Sequence, residues 1–402
     1  IHVENDPQVI DNSLDNLNVT WGRVELPWKL WHPDLDKNPK LEAKNGNLHT
    51  KVEASLEMAR RLDKRGIPVI LAAWFAPNWA IIGERAEGVN LDGSRGNQLD
   101  QSKKEEIYRS ITSYVEFLKE EYGVEAFLFS FNESDLGIDV RQTPEEHDQL
   151  IRELGSLFKN AGLNTKLLLG DTADANGWDF TTPPFLSPES VPYIGGVSFH
   201  SWRGWSQKNL LEWYDIANRV GQPLFVGEGS IDAGAWRYPQ IFEEPSYALE
   251  EIRIYLKILK FAQPLSILQW QLTSDYSVLS GGGIYGNDDK LKPTQRFFNL
   301  KQLGKTPSGL RNIPVTSNQE SVTAAALGSK ERGQYALHLV NKGGKRSIEV
   351  TGIPSSISAF NVYVTDQNNS FKRIKKVQVS NGKINLFAEG GSFISLFSVN
   401  LK

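Results

Sequence analysis

Two glutamates follow apolar runs of the sequence. At such positions a carboxylate needs an ion-pair or hydrogen-bond partner, or it has a role in catalysis. The run EAFLFSF at 125–131 leads into Asn132 and Glu133, and the run PLFVG at 223–227 leads into Glu228. A carboxylate at the end of a buried strand loses hydration, which costs free energy unless the group is paired or used. Two such groups from different strands can act as a general acid and a nucleophile, the pair that cleaves glycosidic bonds. Each glutamate alone would also be explained by a helix cap or a salt bridge.

Two further polar residues end apolar runs. His200 ends the run GGVSFH, and Asp171 follows the run KLLLG. We expect His200 to contact the substrate or a second carboxylate, with a satisfied core histidine as the alternative, and Asp171 either to bind substrate or to tie down a loop. Four other histidines have no metal-ligand spacing between them: His32, His49, His147 and His338. Because no H-E-x-x-H motif occurs either, we predict neither a metal site nor a cofactor.

The tryptophans give a clue to the substrate. The chain has 11 Trp, and none follows Trp270. A sugar ring has an apolar face of C–H bonds and a rim of hydroxyls, so aromatic platforms with a few polar groups suit it. Five tryptophans fall at predicted strand ends or in the following loops: Trp74, Trp79, Trp202, Trp205 and Trp236. Packing is the commoner role for any single one of them, but we do not expect all of them only to pack.

The composition excludes several other classes of protein. The 402 residues include 44 Lys and Arg against 48 Asp and Glu, and a net charge of −4 gives no long-range attraction for nucleic acid or an anionic membrane. Zero Cys excludes disulfides, thiolate nucleophiles and Cys-ligated zinc. No apolar run approaches the roughly 18 residues of a membrane span. The chain starts at Ile1 without Met, which we interpret as a processed N-terminus.

The elements that must position these residues alternate in type up to about residue 303. Strand-like runs occur at 18–26, 67–74, 125–131, 166–170, 195–200, 223–227 and 267–272, and a short strand near 1–5 would be an eighth. Continuous apolar strands separated by helices are typical of a parallel sheet with covered faces. We therefore predict a (β/α)₈ barrel over 1–303, with its site at the carboxyl ends of the strands. A doubly wound open sheet is the alternative, but its G-x-G-x-x-G signature is missing after a first strand.

After Pro307 the pattern changes to short alternating strands separated by glycine-containing turns. The runs are at 321–327, 334–341, 345–351, 359–365, 371–379, 383–388 and 392–399. This spacing predicts an antiparallel β-sandwich, which we assign as a second domain over 304–402. Since the segment has no Trp, we expect a structural role for it rather than that of a carbohydrate-binding module.

The ordered set of strand ends resembles that of the clan A retaining glycoside hydrolases, and most closely family 30. The matching positions are Arg23, the segment from Trp74 to Trp79, Asn132-Glu133, Gly170-Asp171, His200-Ser201-Trp202, Glu228 and Trp270. The sandwich after Lys292-Pro293-Thr294 matches the side domain of that family. One departure is that family members usually show Asn-Glu-Pro, whereas here Ser134 follows the glutamate.

The resemblance implies a role for each of these residues. Glu133 would be the acid/base and would need a raised pKa, and Glu228 would be the ionised nucleophile. Arg23 would favour that ionised state, and Asn132 would bind the sugar hydroxyl next to the anomeric carbon. The other residues expected to bind substrate are Trp74, Trp79, Asp171, His200, Trp202, Trp205, Trp236 and Trp270.

The function implied by the resemblance is a retaining β-glycosidase that cleaves a β-linked polysaccharide or its oligosaccharides, of xylan, β-1,6-galactan or β-1,6-glucan type. We expect it to be a bacterial protein that is secreted, periplasmic or at the cell surface, to act as a monomer and to have carbohydrate as its partner. The Asn-Glu-Ser departure leaves open a glycan-binding protein that does not catalyse. A lyase or aldolase is less favoured, because no Lys stands at a predicted strand end to form a Schiff base.

Overall fold

A computed structural model describes residues 7–86, 88, 89, 94–273 and 276–399. The predicted strand near residues 1–5 lies outside these described residues. The chain divides into two compact units that are each discontinuous in sequence. The barrel unit holds Thr20–Gly229 and Pro264–Trp270. The sandwich unit holds the described parts of 7–19, Ser230–Gln263 and 271–399.

The barrel unit is built on a parallel sheet of seven described strands. These are β1 (Gly22–Leu26), β2 (Val69–Ala73), β3 (Leu128–Phe131), β4 (Lys166–Thr172), β5 (Ile194–Phe199), β6 (Leu224–Gly229) and β7 (Ser266–Gln269), paired in that order. Each strand was predicted from its apolar run. In the register of the sheet, Leu71 lies between Val24 and Phe129. Because both faces of the strands are covered, their burial is almost continuous along β2 to β6.

Helices follow the strands as the periodicity predicts. The sandwich unit contains α1 (Pro7–Asn16), α9 (Pro245–Phe261) and α10 (Gln295–Gly304); the barrel unit contains α2 (Trp28–Trp31), α3 (Pro39–Lys44), α4 (Thr50–Asp63), α5 (Lys104–Tyr122), α6 (Pro144–Asn160), α7 (Thr182–Leu186) and α8 (Gln207–Val220). Helix α6 begins with a capping box at Thr143. The Thr143 side chain accepts from the backbone N–H of Glu146, and the Glu146 side chain accepts from that of Thr143.

Short elements complete the two units. Single 3₁₀ turns occur at Asn78–Ala80, Gln101–Lys103, Gly177–Thr181, Val191–Tyr193, Ala235–Arg237, Pro239–Glu243 and Ile284–Gly286. Two-residue strands pair Asn97–Gln98 with Val140–Arg141 and Leu279–Ser280 with Lys292–Pro293. In the described part of the chain, no helix combines the length and the apolarity that crossing a bilayer requires.

Besides the two-residue pairing of Leu279–Ser280 with Lys292–Pro293, the sandwich unit contains two antiparallel sheets, as its alternating pattern predicts. Its strands are β8 (Arg311–Ile313), β9 (Val322–Ser329), β10 (Gln334–Asn341), β11 (Arg346–Val350), β12 (Ala359–Thr365), β13 (Lys372–Gln378), β14 (Ile384–Ala388) and β15 (Ser392–Phe397). One sheet has the order β8-β9-β10-β15-β12-β13, and the other pairs β11 with β14. Leu339, Leu386 and Ile394 belong to one apolar cluster that both sheets share. The predicted fold class is confirmed: a TIM barrel with an antiparallel β-sandwich side domain.

The compact units do not follow the predicted boundary at residue 303. Helices α1, α9 and α10 and the segment 271–303 belong to the sandwich unit. Apolar packing explains this, since Val9 and Leu17 of the α1 region form a cluster with Val278 and Phe297. Polar contacts add to it, because Asn299 in α10 donates to the carbonyl of Ala248 in α9 at 2.9 Å. Helical periodicity does not tell which sheet a helix covers, so the sequence placed these helices with the barrel.

Candidate active site

Five charged or titratable side chains converge at the carboxyl ends of the barrel strands. Arg23 is in β1, Asp171 is in β4 and Glu228 is in β6, while Glu133 and His200 come directly after β3 and β5. All five are buried. Parallel strands bring their carboxyl ends to one edge, which explains how residues distant in sequence meet there. The structure thus brings together five of the residues that the sequence predicted for a site.

The backbone at two of these residues is unusual. Glu133 has φ +46° and Asp171 has φ +57°, both in the left-handed region that non-glycine residues seldom adopt. The N–H of Glu133 donates to the carbonyl of Asp171 at 3.0 Å, and the N–H of Asn132 donates to the carbonyl of Ala73 at 2.9 Å. Such conformations cost about 1–3 kcal/mol each and persist where the surroundings hold them. Here the cross-strand hydrogen bonds hold Glu133 and Asp171 in these conformations. The strained backbone therefore directs both carboxylates toward the charged cluster.

Arg23 connects three acceptors through its guanidinium. Nη1 donates to Glu228 Oε1 at 2.8 Å, and Nη2 donates to Asp171 Oδ2 at 2.7 Å and to Asn132 Oδ1 at 2.6 Å. Only 4% of the Arg23 side chain is exposed, so these contacts are desolvated. The prediction that Arg23 lies next to the Glu228 carboxylate agrees with these distances.

His200 lies between all three carboxylates. Nδ1 is 2.8 Å from Glu133 Oε1 and 3.3 Å from Glu228 Oε2, and Nε2 is 3.1 Å from Asp171 Oδ1. Burial alone would lower the pKa of His200, but the charges of Glu228 and Asp171 and the hydrogen bonds outweigh it and raise that pKa well above its usual range. Both ring nitrogens of His200 thus face carboxylate oxygens, which favours the protonated form of the ring.

The environment pushes the pKa values of the two glutamates apart. Burial raises the pKa of Glu133 to about 7, although the hydrogen bond from His200 opposes the rise. Burial also acts on Glu228, but there the charge and hydrogen bond of His200 and the charge of Arg23 prevail, so the pKa of Glu228 lies below its usual range. One carboxyl oxygen of each glutamate and the His200 nitrogen lie within 4.8 Å of one another. Divergent pKa values in a close pair assign a proton donor and an anion.

Asp171 is the third carboxylate of the site. Burial would raise its pKa, but the charges of Arg23 and His200 and the hydrogen bonds that it accepts hold the pKa of Asp171 far below its usual range. The site thus holds two cations, two carboxylates that stay ionised and one carboxyl group that titrates near neutrality. It is neutral when Glu133 is protonated and carries one negative charge when Glu133 is ionised.

The Glu133, His200 and Glu228 atoms are also close enough to hold a metal ion. His200 Nδ1, however, already contacts both glutamates at hydrogen-bonding distance. Ionic hydrogen bonding accounts for the spacing without a metal.

Three of the predicted tryptophans lie at this site. Trp202 is buried, and its indole N–H donates to Glu228 Oε2 at 3.2 Å. The Trp74 ring has the Arg23 guanidinium carbon 4.7 Å from its centroid, and the Trp270 ring centroid is 6.0 Å from that of Trp74. These rings give the site an aromatic wall next to its charged cluster, an arrangement that suits the apolar face of a sugar.

The other three tryptophans have different surroundings. Trp79 donates from its indole N–H to the carbonyl of His32 at 2.8 Å and packs edge-on against Trp28, and Trp205 donates to the carbonyl of Ser201 at 2.6 Å. Trp236 belongs to the sandwich unit and is 53% exposed. None of their described contacts involves the charged cluster, so their substrate-binding role stays a prediction.

The sequence analysis missed several supporting residues. Ser130 and Ser198 both donate to Asp171, and Gly227 leaves the space that the Asp171 carboxylate occupies. A signal for the serines exists, because each lies two residues before a predicted site residue, Asn132 or His200, and alternation puts such pairs on one face of a strand. The tight fit at Gly227 has no comparable signal in a single sequence.

No protein-family model matches the chain, and no curated protein matches it. Solved structures do match. A family 30 endoxylanase from Clostridium papyrosolvens is 15% identical, with 98% of this chain and 92% of that chain covered and a TM-score of 0.75. A family 30 subfamily 8 xylanase from Clostridium acetobutylicum is 14% identical, with 98% and 92% covered and a TM-score of 0.73. An endo-β1,6-glucanase is 16% identical, with 98% and 87% covered and a TM-score of 0.62.

These likenesses show that the fold of this chain is similar to that of the matching glycoside hydrolases. The xylanases of family 30 share it over nearly the whole chain. The predicted resemblance is therefore confirmed at the level of the fold.

Proposed function

We propose that the protein is a retaining β-glycoside hydrolase. The observation that carries this proposal is the pair Glu133 and Glu228, with oxygens within 4.8 Å and pKa values pushed in opposite directions. Retaining enzymes place their two carboxyl groups roughly 5–5.5 Å apart, whereas inverting enzymes need about 6.5–9.5 Å to admit a water. The shorter spacing favours attack by a carboxylate on the sugar over attack by water.

The proposed reaction assigns the two glutamates successive steps. The Glu228 carboxylate attacks the anomeric carbon while protonated Glu133 gives its proton to the departing glycosidic oxygen, so one C–O bond forms as another breaks. Glu133, now ionised, then takes a proton from a water that displaces Glu228 from the sugar. Arg23 donates to one oxygen of Glu228 and Trp202 to the other, which fixes the orientation of the nucleophile.

We propose a β-linked polysaccharide or its oligosaccharides as the substrate. The rings of Trp74 and Trp270 beside the carboxylates support this, because aromatic faces stack on sugars. The matching structures include xylanases and an endo-β1,6-glucanase, which makes xylan and β-1,6-glucan the first substrates to test, with β-1,6-galactan added from the sequence resemblance. We further propose that the protein is secreted and monomeric. A conserved exported protein from Bacteroides fragilis has the same fold with a TM-score of 0.70, which supports export.

The test is hydrolysis of a panel of these β-linked glycans, with the anomer of the first-formed product read by proton NMR. We expect cleavage of at least one glycan with retention of the β configuration. Glu228→Gln should abolish it, while Glu105→Gln, whose side chain is 81% exposed on α5, should leave it unchanged. Inversion at the anomeric carbon would contradict the retaining mechanism. Glycan binding by calorimetry with no turnover over days would instead favour the non-catalytic glycan-binding protein.

A further inference from the structure

Asp171 is fully buried, and both of its oxygens are already hydrogen-bonded. Its side chain is 0% exposed. Oδ2 accepts from Arg23 Nη2 and from Ser130 Oγ, each at 2.7 Å, and Oδ1 accepts from Ser198 Oγ and His200 Nε2, each at 3.1 Å. A carboxylate has about four lone-pair positions, and the protein fills all of them. A sugar hydroxyl finds neither access nor a free acceptor here.

The chain around Asp171 is shaped to keep the carboxylate in this place. Its φ of +57° is one that side chains rarely adopt. On the neighbouring face, a Cβ at Gly227 would lie 2.5 Å from Asp171 Oδ1 and 2.7 Å from Ser198 Oγ, too close for any larger residue. Strand β6 therefore needs a glycine directly before Glu228. The position of the Asp171 carboxylate depends on two local features, the positive φ of Asp171 and the missing side chain at Gly227.

Every group that faces His200 bears on its protonation. Anionic groups come from three directions: Glu133 after β3, Asp171 in β4 and Glu228 in β6. The charge of Asp135, in the loop after β3, acts in the same direction. The cation Arg23 in β1, which pairs with Asp171 and Glu228, opposes the protonation of His200. Behind β4, His147 of α6 accepts from the N–H of Gly170 at 3.0 Å, and burial lowers the pKa of His147 to about 4, so it is neutral.

From this arrangement we infer that Asp171 is a positioning residue that binds no substrate and instead holds the His200 imidazolium and the Arg23 guanidinium against the two glutamates. His200 Nε2 is tied to Asp171, so its Nδ1 must point at Glu133 and Glu228. Arg23 is tied through Nη2, so its Nη1 must point at Glu228.

The catalytic part of this inference rests on the proposed function. When Glu133 gives up its proton it becomes an anion, and the His200 cation stands 2.8 Å away to stabilise it. When Glu228 forms its bond to the sugar it loses its charge, and Arg23 keeps Asp171 as a partner. Preorganised charges of this kind act in the transition state and not in substrate binding. The Asp171 carboxylate therefore affects turnover only through its two cations.

The test is Asp171→Asn, which keeps the size of the side chain but replaces one acceptor oxygen by an N–H donor. Facing an amide N–H, His200 Nε2 must become an acceptor and lose its proton. We expect nitrogen NMR of the ring to show both nitrogens protonated at pH 8 in the unmodified protein, and only Nδ1 protonated in the variant. The signal is assigned by its absence in His200→Asn, and the chain has only 6 His. We expect kcat to fall about 10²- to 10³-fold with KM changed less than about threefold.

Opposite results would overturn the inference. A variant in which His200 stays doubly protonated at pH 8 removes the positioning role, and a raised KM with unchanged kcat makes Asp171 a substrate ligand. If the variant does not fold, nitrogen NMR of His200 in the unmodified protein still tests the inference. A neutral His200 at pH 7 contradicts it, and an imidazolium at pH 8 supports it. The NMR result does not depend on turnover. Absence of glycan hydrolysis would therefore remove the proposed function while the protonation result stands on its own.

Discussion

Both units of the molecule bury an arginine against carboxylates, and the two clusters differ in how their charges balance. In the sandwich unit, Arg296 is 0% exposed and donates to both oxygens of Glu251, at 2.9 and 3.0 Å. The carbonyls of Tyr276 and Ser277 accept two more of its hydrogens. One cation, Arg296, thus pairs with one anion, Glu251, and most N–H groups of the guanidinium have hydrogen-bond acceptors.

The cluster of the barrel unit has a surplus of carboxyl groups. Two cations, Arg23 and His200, face three carboxyl groups, and burial leaves one of them, Glu133, with a pKa near neutrality. When a buried cluster has equal numbers of cations and carboxylates, all of its groups stay charged. When carboxyl groups outnumber the cations, one of them can take up and release a proton near neutral pH. In this molecule the charge count of the buried cluster, and not the presence of a buried arginine, separates the candidate active site from the structural ion pair.

The largest expected effect separates the two clusters by activity. Glu228→Gln should reduce kcat/KM for a glycan that the protein cleaves by about 10⁴-fold or more, because the amide cannot attack the sugar. The loss in the free energy of unfolding should be small beside the loss of activity, since the amide oxygen can still accept from Arg23 and Arg23 keeps Asp171 as its ion partner. Steady-state kinetics and urea unfolding of the same preparation check both. A variant that loses stability as much as activity would show that the barrel cluster is structural after all.

The next effect is on stability in the sandwich unit. Glu251→Gln leaves the buried Arg296 charge without its counter-ion, and we expect a loss of about 3–5 kcal/mol in the free energy of unfolding. The matched control is the preceding residue, because Glu250 pairs with the partly exposed Arg253 and Lys342. Glu250→Gln should cost no more than about 1 kcal/mol. Equal losses in urea unfolding would contradict the distinction between the two ion pairs.

The pH dependence of activity sharpens the comparison further. Since Glu133 must be protonated at the start and its pKa is about 7, kcat/KM should fall about tenfold per pH unit above neutrality. Glu228 must be ionised and its pKa is lowered, so the acid limb should lie below the usual range of a glutamate. Kinetics from pH 3 to 9 test this. A profile that stays flat up to pH 9 would exclude Glu133 as the proton donor.

The same raised pKa has a consequence for stability. The folded chain holds the Glu133 proton more tightly than the unfolded chain, in which the pKa is near 4.5. This carboxyl group therefore stabilises the fold below about pH 4.5, and its contribution is lost as the pH rises through 7. Glu133→Gln should remove that part of the slope of unfolding free energy against pH, whereas Glu105→Gln should leave the slope unchanged.

The smallest expected effect concerns the aromatic wall. Trp74→Ala should raise KM for a glycan about three- to tenfold, because a stacked aromatic contributes about 0.5–1.5 kcal/mol. Trp236→Ala, in the sandwich unit, is the comparison, since its side chain is 53% exposed and contacts Arg237 at 5.2 Å from the ring centroid. Unchanged KM in the Trp74 variant would remove this ring from the binding site.

Much of the fold follows from local patterns in the sequence. Apart from the short strand β8 and the two-residue strands, which no run predicted, the strands of both units agree with their apolar or alternating runs to within a few residues. Side-chain periodicity and turn residues determine these longer strands. The positions of Glu133 and Glu228 at strand ends follow from the same patterns. The unit boundary does not, because the partners of α1 and α9 are chosen by packing between distant segments.

The details of the site depend on three-dimensional proximity and were harder to predict. Trp79 and Trp202 stand at similar places after their strands, yet one bonds the carbonyl of His32 and the other bonds Glu228. A loop tryptophan that packs and one that faces the site have the same local pattern. The enclosure of Asp171 by Ser130 and Ser198 likewise arises from three separate strands, and no short window of sequence contains it.

The packing of α1 has a consequence for how the protein is made. Val9 and Leu17 are among the first described residues to leave the ribosome, but their partners Val278 and Phe297 are synthesised far later. At about 5–20 residues per second, helix α1 waits for tens of seconds before its apolar face is covered. The barrel strands up to β6 can assemble during that interval. Until residues 278–297 are synthesised, the apolar face of the nascent helix has none of the partners that cover it in the folded chain.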